Sequence, residues 1–585
     1  MSSVPVIAIT EHGGSLGWAV AGACVVATAL GGVRWLRVAQ REHYLPDSAS
    51  RFALRWWTAP PVTVLCAFVG LAGLVLVAPW TGAAFGSAGA AALGPLGLGL
   101  RGRTSPLAWT RRLRTLTATW AVLQAAIVVV GMLTGFVAVV CAAGALASPA
   151  LVDLACVVTG PVERRLADRH VKRATERLRR AKPKVVAITG SYGKTSTKRY
   201  VAHLLSGSMT VVASPASFNN RAGLARAVNE NLAEGTDVFV AEMGTYGHGE
   251  IAELCSWMTP DVAVITAVGP VHLERFRTEE RIVEAKSEIL AGARCCVLAV
   301  DDPRLAALAG GAEAKQKRVW RVSSDAQSTD DREAADDREA TADAEATRDA
   351  DVAHHFPSRL ASSVSPASGP TIPTGGGTEP SRSLSSEPAL EVSVRTRPDG
   401  LEVWARGELL ASDLSVAARP GNVACAVAVA LELGVPAGEI AKRLRLLPVV
   451  PHRLEAQITS GGFAVLDDTY NANPAGARAA LAALEEAAGD GGRRAVVTPG
   501  MVELGKSQAE ENERFAAQVA RVGADLVVVG RTNRRALVLG YAPSSGAPAS
   551  LVLVGRREQA VEWVREHLGP GDAVLYENDL PDHYP

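Results

Sequence analysis

Lys194 and Thr195 follow a glycine turn at a spacing that suits phosphate binding. The run Val185–Tyr200, VVAITGSYGKTSTKRY, passes from a buried β-branched segment through that turn into a helical pattern. Glycines let backbone N–H groups approach an anion, and the helix start adds its dipole. Lys194 can then reach the outer phosphates, and the Thr195 hydroxyl can bind Mg²⁺. The residues predicted here to bind a nucleotide are Gly190, Ser191, Gly193, Lys194, Thr195 and Ser196.

The loop is shorter than the general P-loop pattern, whose first glycine stands five residues before Gly193. Ile188 occupies that position here, so the loop has the form G-x-x-G-K-T. This motif alone leaves open an ordinary strand–turn–helix without a ligand. Residues further along the chain have to decide between the two interpretations.

Short β-rich runs alternate with helical patterns from residue 183 onward, which predicts a parallel α/β sheet. Glu242 follows the run VFVA, and His272 follows AVITAVGPV. Open α/β sheets bind ligands at the carboxyl ends of their strands. Glu242 is therefore a candidate metal ligand, although a strand-end glutamate is as often an ordinary solvated loop residue. The predicted strands are Val185 to Ile188, Val238 to Ala241, Val262 to Ile265 and Cys296 to Val300.

The composition indicates several domains and gives no argument for a nucleic-acid partner. A chain of 585 residues is too long for one core, and its 60 basic and 60 acidic residues give a net charge of zero. The eight cysteines show no CxxC spacing. They indicate neither a disulfide framework nor a zinc knuckle, which favours a reducing cytosol for the soluble part.

The first 160 residues contain apolar runs near 16–33, 60–79 and 82–100, and a longer run over 115–158. Each is long enough to cross about 30 Å of hydrocarbon. Arginines fill the first and third connections and the segment after residue 160. Because basic loops stay in the cytoplasm, we predict five spans in the plasma membrane, with the N-terminus outside and the remainder of the chain inside. The alternative, one long last helix, would place the nucleotide site outside the cell.

Eight spaced motifs in one order resemble the Mur ligase family, over roughly residues 183 to 585. Within it, the chain is similar to the branch that adds D-alanyl-D-alanine to UDP-N-acetylmuramoyl-tripeptide. The resemblance implies that ATP phosphorylates a substrate carboxylate and that an amine then attacks the acyl phosphate. Lys194 would hold the β- and γ-phosphates, and Asn220 would polarise the acyl group. The motifs are ITGSYGKTSTK, SPASFNN, AEMG, VGPVHLE, EAKSEI, DDPR, PHRLE and DDTYNANPAGARAAL.

The same resemblance implies two metal positions. Thr195 and Glu242 would bind one Mg²⁺, and His272 and Lys286 would bind a second ion. Lys286 would act as its carbamate, since only carbamylation turns this cation into an oxygen ligand. Without the resemblance, Lys286 would be taken as an ordinary lysine on a helix surface.

The remaining nucleotide contacts that the resemblance implies lie near the end of the chain. Asn422 would contact adenine, but Cys425 stands where the family has a second asparagine and cannot copy a carboxamide. Arg453 resembles an arginine that closes over the nucleotide, and Asp468 resembles a ribose-contacting carboxylate. Gly500 replaces an expected acid where the incoming amine should bind. Strands are predicted at Arg494 to Thr498, Leu526 to Gly530, Leu551 to Val554 and Ala573 to Tyr576.

The sequence therefore predicts an all-α transmembrane domain of about five helices (1–160), a basic linker helix (161–182), a P-loop central α/β domain (183–445) and a C-terminal Rossmann-like domain (446–585). Residues 323–388 are poor in apolar groups and predict a disordered insert. No room remains for the family's domain that grips uridine diphosphate.

The preferred hypothesis is a membrane-anchored, ATP- and Mg²⁺-dependent amide ligase acting on a nucleotide- or lipid-linked cell-wall precursor. Its partners would be the bilayer, a carboxylate and an amine, with cell-wall synthesis proteins as further candidates. One alternative resembles the membrane ligases that polymerise γ-glutamate. Another is an ATP-binding membrane scaffold without ligase chemistry, which would need only Lys194 and Thr195.

Overall fold

The computed structural model describes residues 14–58, 61–95, 98, 107–215, 218–271, 273–324, 391–397, 400–414, 419–450, 453–469, 472–489, 491–542 and 549–579. The chain divides into two compact units. One consists of Met1–Arg177, Val271–Glu274 and Val450–Pro585, and the other of Leu178–Pro270 and Arg275–Val449. The units are described one at a time below.

The N-terminal region of the first unit is built of helices. A left-handed glycine, Gly135 (φ 77°), ends α5, so the long apolar run after residue 115 is broken into separate helices, as the sequence predicts. The basic segment 161–182 is not a separate linker helix, because α7 continues through Pro161 to Ala181. The helices are α1 (Ser15–Arg41), α2 (Ser48–Thr58), α3 (Pro61–Leu76), α4 (Ala84–Leu93), α5 (Arg111–Thr134), α6 (Val137–Leu146) and α7 (Ser148–Ala181).

Helix α2 is held against α1 by aromatic packing and at its N-terminus by a buried acid. Trp35 of α1 meets Phe52 of α2 edge to face, with ring centres 6.4 Å apart. The carboxylate of Asp153, which lies on α7, accepts hydrogen bonds from the backbone N–H groups of Ala49 (3.0 Å) and Ser50 (2.8 Å). Asp153 therefore satisfies N–H groups in the first turn of α2 that have no partner within that helix.

Two helices of the described residues, α1 and α5, are each long and apolar enough to cross a membrane. The number rises to four if each of two bent helix pairs counts as one crossing. The run 82–100 forms only the ten-residue helix α4 within the described residues. At 1.5 Å per residue α4 is about 15 Å long, half the thickness of the hydrocarbon core. The five-span topology stays a prediction.

A nine-stranded sheet forms the centre of the second unit. Its order is β2-β3-β1-β4-β5-β6-β7-β8-β9, parallel from β2 to β7 and antiparallel in the last two pairings. The four strands predicted here are found within one residue of their expected ends. The strands are β1 (Lys184–Thr189), β2 (Val211–Ala213), β3 (Val238–Glu242), β4 (Val262–Ile265), β5 (Cys295–Ala299), β6 (Arg318–Ser323), β7 (Val392–Arg397), β8 (Gly400–Ala405) and β9 (Glu408–Leu414).

Nearly every side chain on the central strands β1, β3, β4 and β5 is buried. Such burial is typical of a parallel sheet with helices on both faces. Both phosphate-binding and metal-binding candidates therefore have to lie at strand ends. The helices are α8 (Lys194–Leu205), α9 (Arg221–Asn231), α10 (Glu250–Trp257), α11 (Leu273–Phe276), α12 (Glu279–Ser287), α13 (Pro303–Glu313), α14 (Pro420–Glu432) and α15 (Ala437–Leu444).

The insert joins two neighbouring strands. Strand β7 pairs with β6 through Val322 opposite Val392 and Ser323 opposite Ser393, so the insert leaves and re-enters the sheet at adjacent positions. The flanking strands agree with the sequence prediction. The predicted disorder over 323–388 falls almost wholly outside the described residues.

Deleting residues 325–386 is expected to leave the rate of ATP turnover within roughly a factor of three. The ends to be joined lie on strands about 4.8 Å apart, so a short connection can replace the insert at small entropic cost. ADP release by the purified full chain and by the deletion variant provides the measurement. Aggregation or loss of the central domain's thermal transition in the deletion variant would contradict it.

The C-terminal part of the first unit is a six-stranded sheet in the order β10-β11-β15-β12-β13-β14, with only the β10–β11 pair antiparallel. Helices pack on both faces, which agrees with the predicted Rossmann-like domain. The elements are β10 (Glu455–Ile458), β11 (Ala464–Asp468), α16 (Pro474–Ala487), β12 (Arg494–Thr498), α17 (Gln508–Arg521), β13 (Asp525–Val529), α18 (Arg534–Gly540), β14 (Leu551–Val554), α19 (Arg557–His567) and β15 (Ala573–Glu577).

Candidate active site

The phosphate loop, residues 190–193, joins the end of β1 to the start of α8. Gly193 is the N-cap of α8 and has φ 80°, a conformation that glycine adopts without strain. A Cβ at Gly193 would run into the carboxamide of Asn422. Because the N-cap is a glycine, no side chain caps the first turn of α8. The N–H groups of that turn can therefore serve an anion.

Ser191 braces the phosphate loop. Its backbone N–H donates to the Ala267 carbonyl (2.7 Å), and its hydroxyl accepts from the Gly269 N–H and donates to the Gly269 carbonyl, both at 3.1 Å. The Thr266 hydroxyl adds a hydrogen bond to the Tyr192 carbonyl. The N–H of Ser191, predicted as part of the phosphate cradle, is thus already used to fix the loop against the chain that follows β4.

Lys194 folds back over the loop. Its ammonium donates to the Gly190 carbonyl (2.7 Å), and its charge acts on both Glu242 and Lys286. The hydrogen bond from the adjacent Thr195 to Glu242 brings the start of α8 to the end of β3, so candidates from two separate elements meet here. Ser196, another predicted nucleotide-binding residue, is buried in the first turn of α8.

Glu242 ends β3 beside the phosphate loop, because β3 pairs with β1 through Ile188 opposite Glu242. Its Oε2 accepts from the Thr195 hydroxyl at 3.0 Å and lies 2.9 Å from Nζ of Lys198. Burial by itself would raise the pKa of the Glu242 carboxyl. The charge and hydrogen bond of Lys198, with smaller effects of Lys194 and Thr195, instead bring that pKa below its usual value.

Thr195 and Glu242 fit a magnesium ion. Two oxygens bound side by side to one octahedral Mg²⁺ at about 2.1 Å lie about 3.0 Å apart. The Thr195 and Glu242 oxygens are separated by 3.0 Å. Among the residues the structure describes, no group of three or more His, Cys, Asp or Glu side chains is placed to hold a metal. A single carboxylate is nevertheless the usual protein contribution to Mg²⁺ bound with a nucleotide, where phosphates and water complete the shell.

Lys286 is buried near the end of α12, with 3% of its surface exposed. It is therefore not the surface lysine that the sequence left as an alternative. Burial, with a smaller contribution from the charge of Lys194, holds the pKa of the Lys286 amine well below its usual value. An amine in this environment is a good nucleophile toward carbon dioxide, because carbamylation requires the uncharged form.

Asn219, a residue not predicted from the sequence, has its side chain at the Glu242 carboxylate. The Asn219 amide nitrogen lies 3.5 Å from Oε1 of Glu242. The side-chain oxygen of Asn220 instead caps α9 by accepting from the Gly223 N–H at 3.0 Å. The two residues are adjacent in the motif SPASFNN, so their roles cannot be told apart before the turn is seen. The acyl-polarising role of Asn220 stays a prediction.

Asn422 and Cys425 both lie on α14, but their surroundings differ. The Asn422 carboxamide lies against Gly193, so a residue that follows the insert contacts the phosphate loop. Cys425 is fully buried, and burial raises the pKa of its thiol to about 12. It is a packing residue of α14, which explains why an apolar side chain is accepted at this position.

Arg453 and Asp468 belong to the other unit. The Oδ1 atom of Asp468, a buried residue at the end of β11, accepts from the backbone N–H of Leu454 at 3.2 Å. Asp468 thereby fixes the turn that carries Arg453. Their nucleotide contacts stay predictions. His272 lies outside the described residues, so its predicted metal role is untested as well.

Gly500 lies two residues after the end of β12 in a left-handed conformation, with φ 82°. Its N–H donates to the Thr498 hydroxyl (2.9 Å), and its carbonyl accepts from the Asn578 amide (2.7 Å). A Cβ there would meet Asn512 and Asn533. The backbone conformation and the two asparagines therefore both favour glycine over a residue with a side chain at this position.

The sequence of this chain is similar to those of known ligases that use the same kind of domains. The family described as "Mur ligase middle domain" matches residues 188–360, and the one described as "Mur ligase, glutamate ligase domain" matches residues 452–576. A UDP-N-acetylmuramoyl-tripeptide–D-alanyl-D-alanine ligase from Mycobacterium tuberculosis (strain CDC 1551 / Oshkosh) is 31% identical over 419 residues, which cover 67% of this chain and 69% of that protein. The protein of the same name from Bacillus subtilis (strain 168) is 24% identical over 397 residues, 67% of this chain and 72% of the relative.

Solved structures share the fold. The MurF ligase from Thermotoga maritima in complex with ADP has a TM-score of 0.53 at 22% identity, covering 71% of this chain and 80% of that one. MurF from Acinetobacter baumannii has a TM-score of 0.52 at 21% identity, covering 71% and 77%. The matches confirm the resemblance inferred from the motifs. The chain belongs to the Mur ligase family of ATP-dependent carboxylate–amine ligases.

Proposed function

We propose that this protein is a membrane-anchored ligase that joins an amine, with D-alanyl-D-alanine as the first candidate, to the carboxylate of a peptidoglycan or related cell-envelope precursor through an acyl phosphate. The observation that carries the proposal is the hydrogen bond between Thr195, next to Lys194 in the phosphate loop motif, and Glu242 at the end of β3. The buried Lys286, whose pKa is lowered by burial and by the charge of Lys194, supports it, since a scaffold that only binds ATP has no need of a buried lysine amine. The two relatives named above, from Mycobacterium tuberculosis and Bacillus subtilis, support the choice of substrates.

The protein groups divide the work between binding and charge compensation. Lys194 leaves the Gly190 carbonyl to hold the outer phosphates of ATP, while the first turn of α8 supports them with backbone N–H groups. Thr195 and Glu242 would hold Mg²⁺, which when bound offsets the negative charge that builds up as a carboxylate meets a phosphate. Asn219 and Asn220 lie on the loop next to Glu242, where amide groups can orient the acyl oxygen.

Lys286 would supply an oxygen ligand as its carbamate, together with His272, for a second metal ion. Its burial and lowered pKa fit this modification, since the amine must lose its proton to react with carbon dioxide. The same burial would then protect the carbamate from water.

The test is to supply the purified full chain with ATP, Mg²⁺ and pairs of carboxylate and amine, and to measure ADP release and new amides by mass spectrometry. The first pair is UDP-N-acetylmuramoyl-tripeptide with D-alanyl-D-alanine, and the second replaces the nucleotide-linked carboxylate by a lipid-linked one. One amide per ADP is the expected product. A ladder of products from one amino acid would favour the γ-glutamate-polymerising alternative. ATP binding without any ADP release would contradict the ligase.

The membrane topology makes a separate prediction. With the N-terminus outside, a thiol introduced as Ala78→Cys, in the uncharged turn after α3, should react with an impermeant maleimide in intact cells. A thiol introduced as Ser208→Cys, on the exposed turn after α8, should react only after lysis. Both positions are exposed in the structure. The reverse labelling pattern would show that the topology is inverted.

A further inference from the structure

Lys198 forms a buried ion pair that neither the phosphate loop nor the proposed chemistry uses. Its Nζ lies 2.9 Å from Oε2 of Glu242, and each side chain is 4% exposed. Lys198 lies on α8, one turn after Lys194. Taking two charges out of water is costly, so a pair buried this deeply is kept only where its geometry is good or its role is specific.

The ion pair is centred on the oxygen atom that a magnesium ion would need. Oε2 of Glu242 is at once the acceptor of the Thr195 hydroxyl and the atom nearest to Lys198. The main chain at Glu242 is fixed as well, since its N–H donates to the Ser214 hydroxyl at 3.2 Å. The second contact of Lys198 is weaker, a 3.4 Å hydrogen bond to the Pro215 carbonyl. The charge of Lys198 is thus directed mainly at Glu242.

We propose that Lys198 is the internal counter-ion of Glu242, and that it keeps the metal site closed to free divalent cations until a nucleotide brings the metal. The inference rests on the proposed function in taking Glu242 as a metal ligand. A divalent ion that binds Oε2 meets the positive charge of Lys198 nearby, and inside a protein such repulsion is strong. A metal that arrives with a triphosphate carries its own negative charge and overcomes this repulsion. Lys198 is therefore a positioning residue, since it acts through Glu242.

If the Lys198 ammonium is removed, a divalent metal ion should be able to take its place as the counter-ion of Glu242. In the full chain, Lys198→Met leaves a buried carboxylate uncompensated, so without metal the unfolding temperature of the central domain should fall by about 5 °C or more. Millimolar Mg²⁺ or Mn²⁺ without nucleotide should restore it. Mn²⁺ binding to the nucleotide-free variant, followed by electron paramagnetic resonance, should be at least about tenfold tighter than to the wild type.

Three further variants separate charge compensation from packing. Lys198→Met combined with Glu242→Gln removes both charges, so it should regain stability without metal and bind no Mn²⁺. Lys198→Arg keeps the charge and should resemble the wild type in its metal-free Mn²⁺ binding. Arg226→Met is the matched control, because the ion pair of Arg226 with Glu230 lies at the surface, with 64% and 52% of the side chains exposed. Arg226→Met should change neither readout.

Two results with Lys198→Met would contradict the inference. One is stability equal to that of the wild type. The other is a loss of stability that metal does not restore, which would assign Lys198 to holding the Pro215 carbonyl. If Lys198→Met does not fold, the double variant decides: a folded double variant supports the inference, and an unfolded one overturns it. If Mn²⁺ fails to bind the wild type even with ATP, the metal site of the proposed function is wrong. The wild-type sample alone gives this result, so it can be distinguished from a failure of the inference about Lys198.

Discussion

Lys286→Ala is expected to lower the rate of amide formation by about 10³-fold, because under the proposed function it would remove an oxygen ligand of a metal that stabilises the developing charge. ATP binding should change by no more than a few-fold, since the proposal assigns the nucleotide to the phosphate loop. Millimolar acetate or formate should restore part of the rate by occupying the space that a lysine carbamate would have filled. Initial rates of amide formation with and without added anion, and nucleotide binding by calorimetry, provide the measurements.

Two control variants make the Lys286 result specific. Lys194→Ala should lose nucleotide binding and should not respond to acetate, because an anion cannot replace a cation. Lys315→Ala, on an exposed turn after α13, should match the wild type. Turnover at the wild-type rate in Lys286→Ala would rule out the carbamate, and a large loss without any recovery in anions would assign Lys286 to packing.

Gly193→Ala is expected to weaken ATP binding roughly 10- to 100-fold, because it combines two costs at the phosphate loop. The backbone at this position has φ 80°, where a side chain is strained, and the new Cβ would press on the Asn422 carboxamide. The loop would have to move away from the start of α8, and its N–H groups would lose their alignment. The affinity for a fluorescent ATP analogue, measured by titration, gives the result directly.

The chain contains a matched glycine for this experiment. Gly235 has φ 85° in the same unit, but nothing lies within 4 Å of the position its Cβ would take. Gly235→Ala therefore carries the backbone strain without the clash and lies outside the phosphate loop, so it should bind ATP like the wild type. Equal losses in both variants, or none in Gly193→Ala, would show that the contact with Asn422 does not shape the loop.

The sequence predicts strands of both sheets well because they are continuous β-branched runs between clear breaks. Val262–Ile265 and Arg494–Thr498 are found at the predicted residues, and Glu242 lies where a strand end was expected. The strand–loop–helix geometry of the phosphate loop follows from local spacing as well. These features depend on residues close together in the chain, which is the information that a single sequence carries most directly.

Features that depend on distant residues were missed. Lys198 looks like any helical lysine until β3 places Glu242 beside it, and Asn219 cannot be separated from Asn220 by position in a motif. The continuity of α7 was also hidden, because the change from apolar to basic residues near 160 alters where a helix lies without ending it. The full burial of Cys425 could not be read from the sequence either, and its effect on base recognition stays a prediction.

The carboxylate of Asp153 also ties an early helix to a late one. Its two bonds reach Ala49 and Ser50, 104 and 103 residues earlier in the chain. During synthesis, α2 emerges long before α7 exists, and until then the N–H groups at its start have only water or lipid headgroups as partners. The packing of Phe52 on Trp35 can form as soon as α1 and α2 exist, but the two bonds to Asp153 have to wait for α7. The last helix of this region therefore completes the attachment of one of the first.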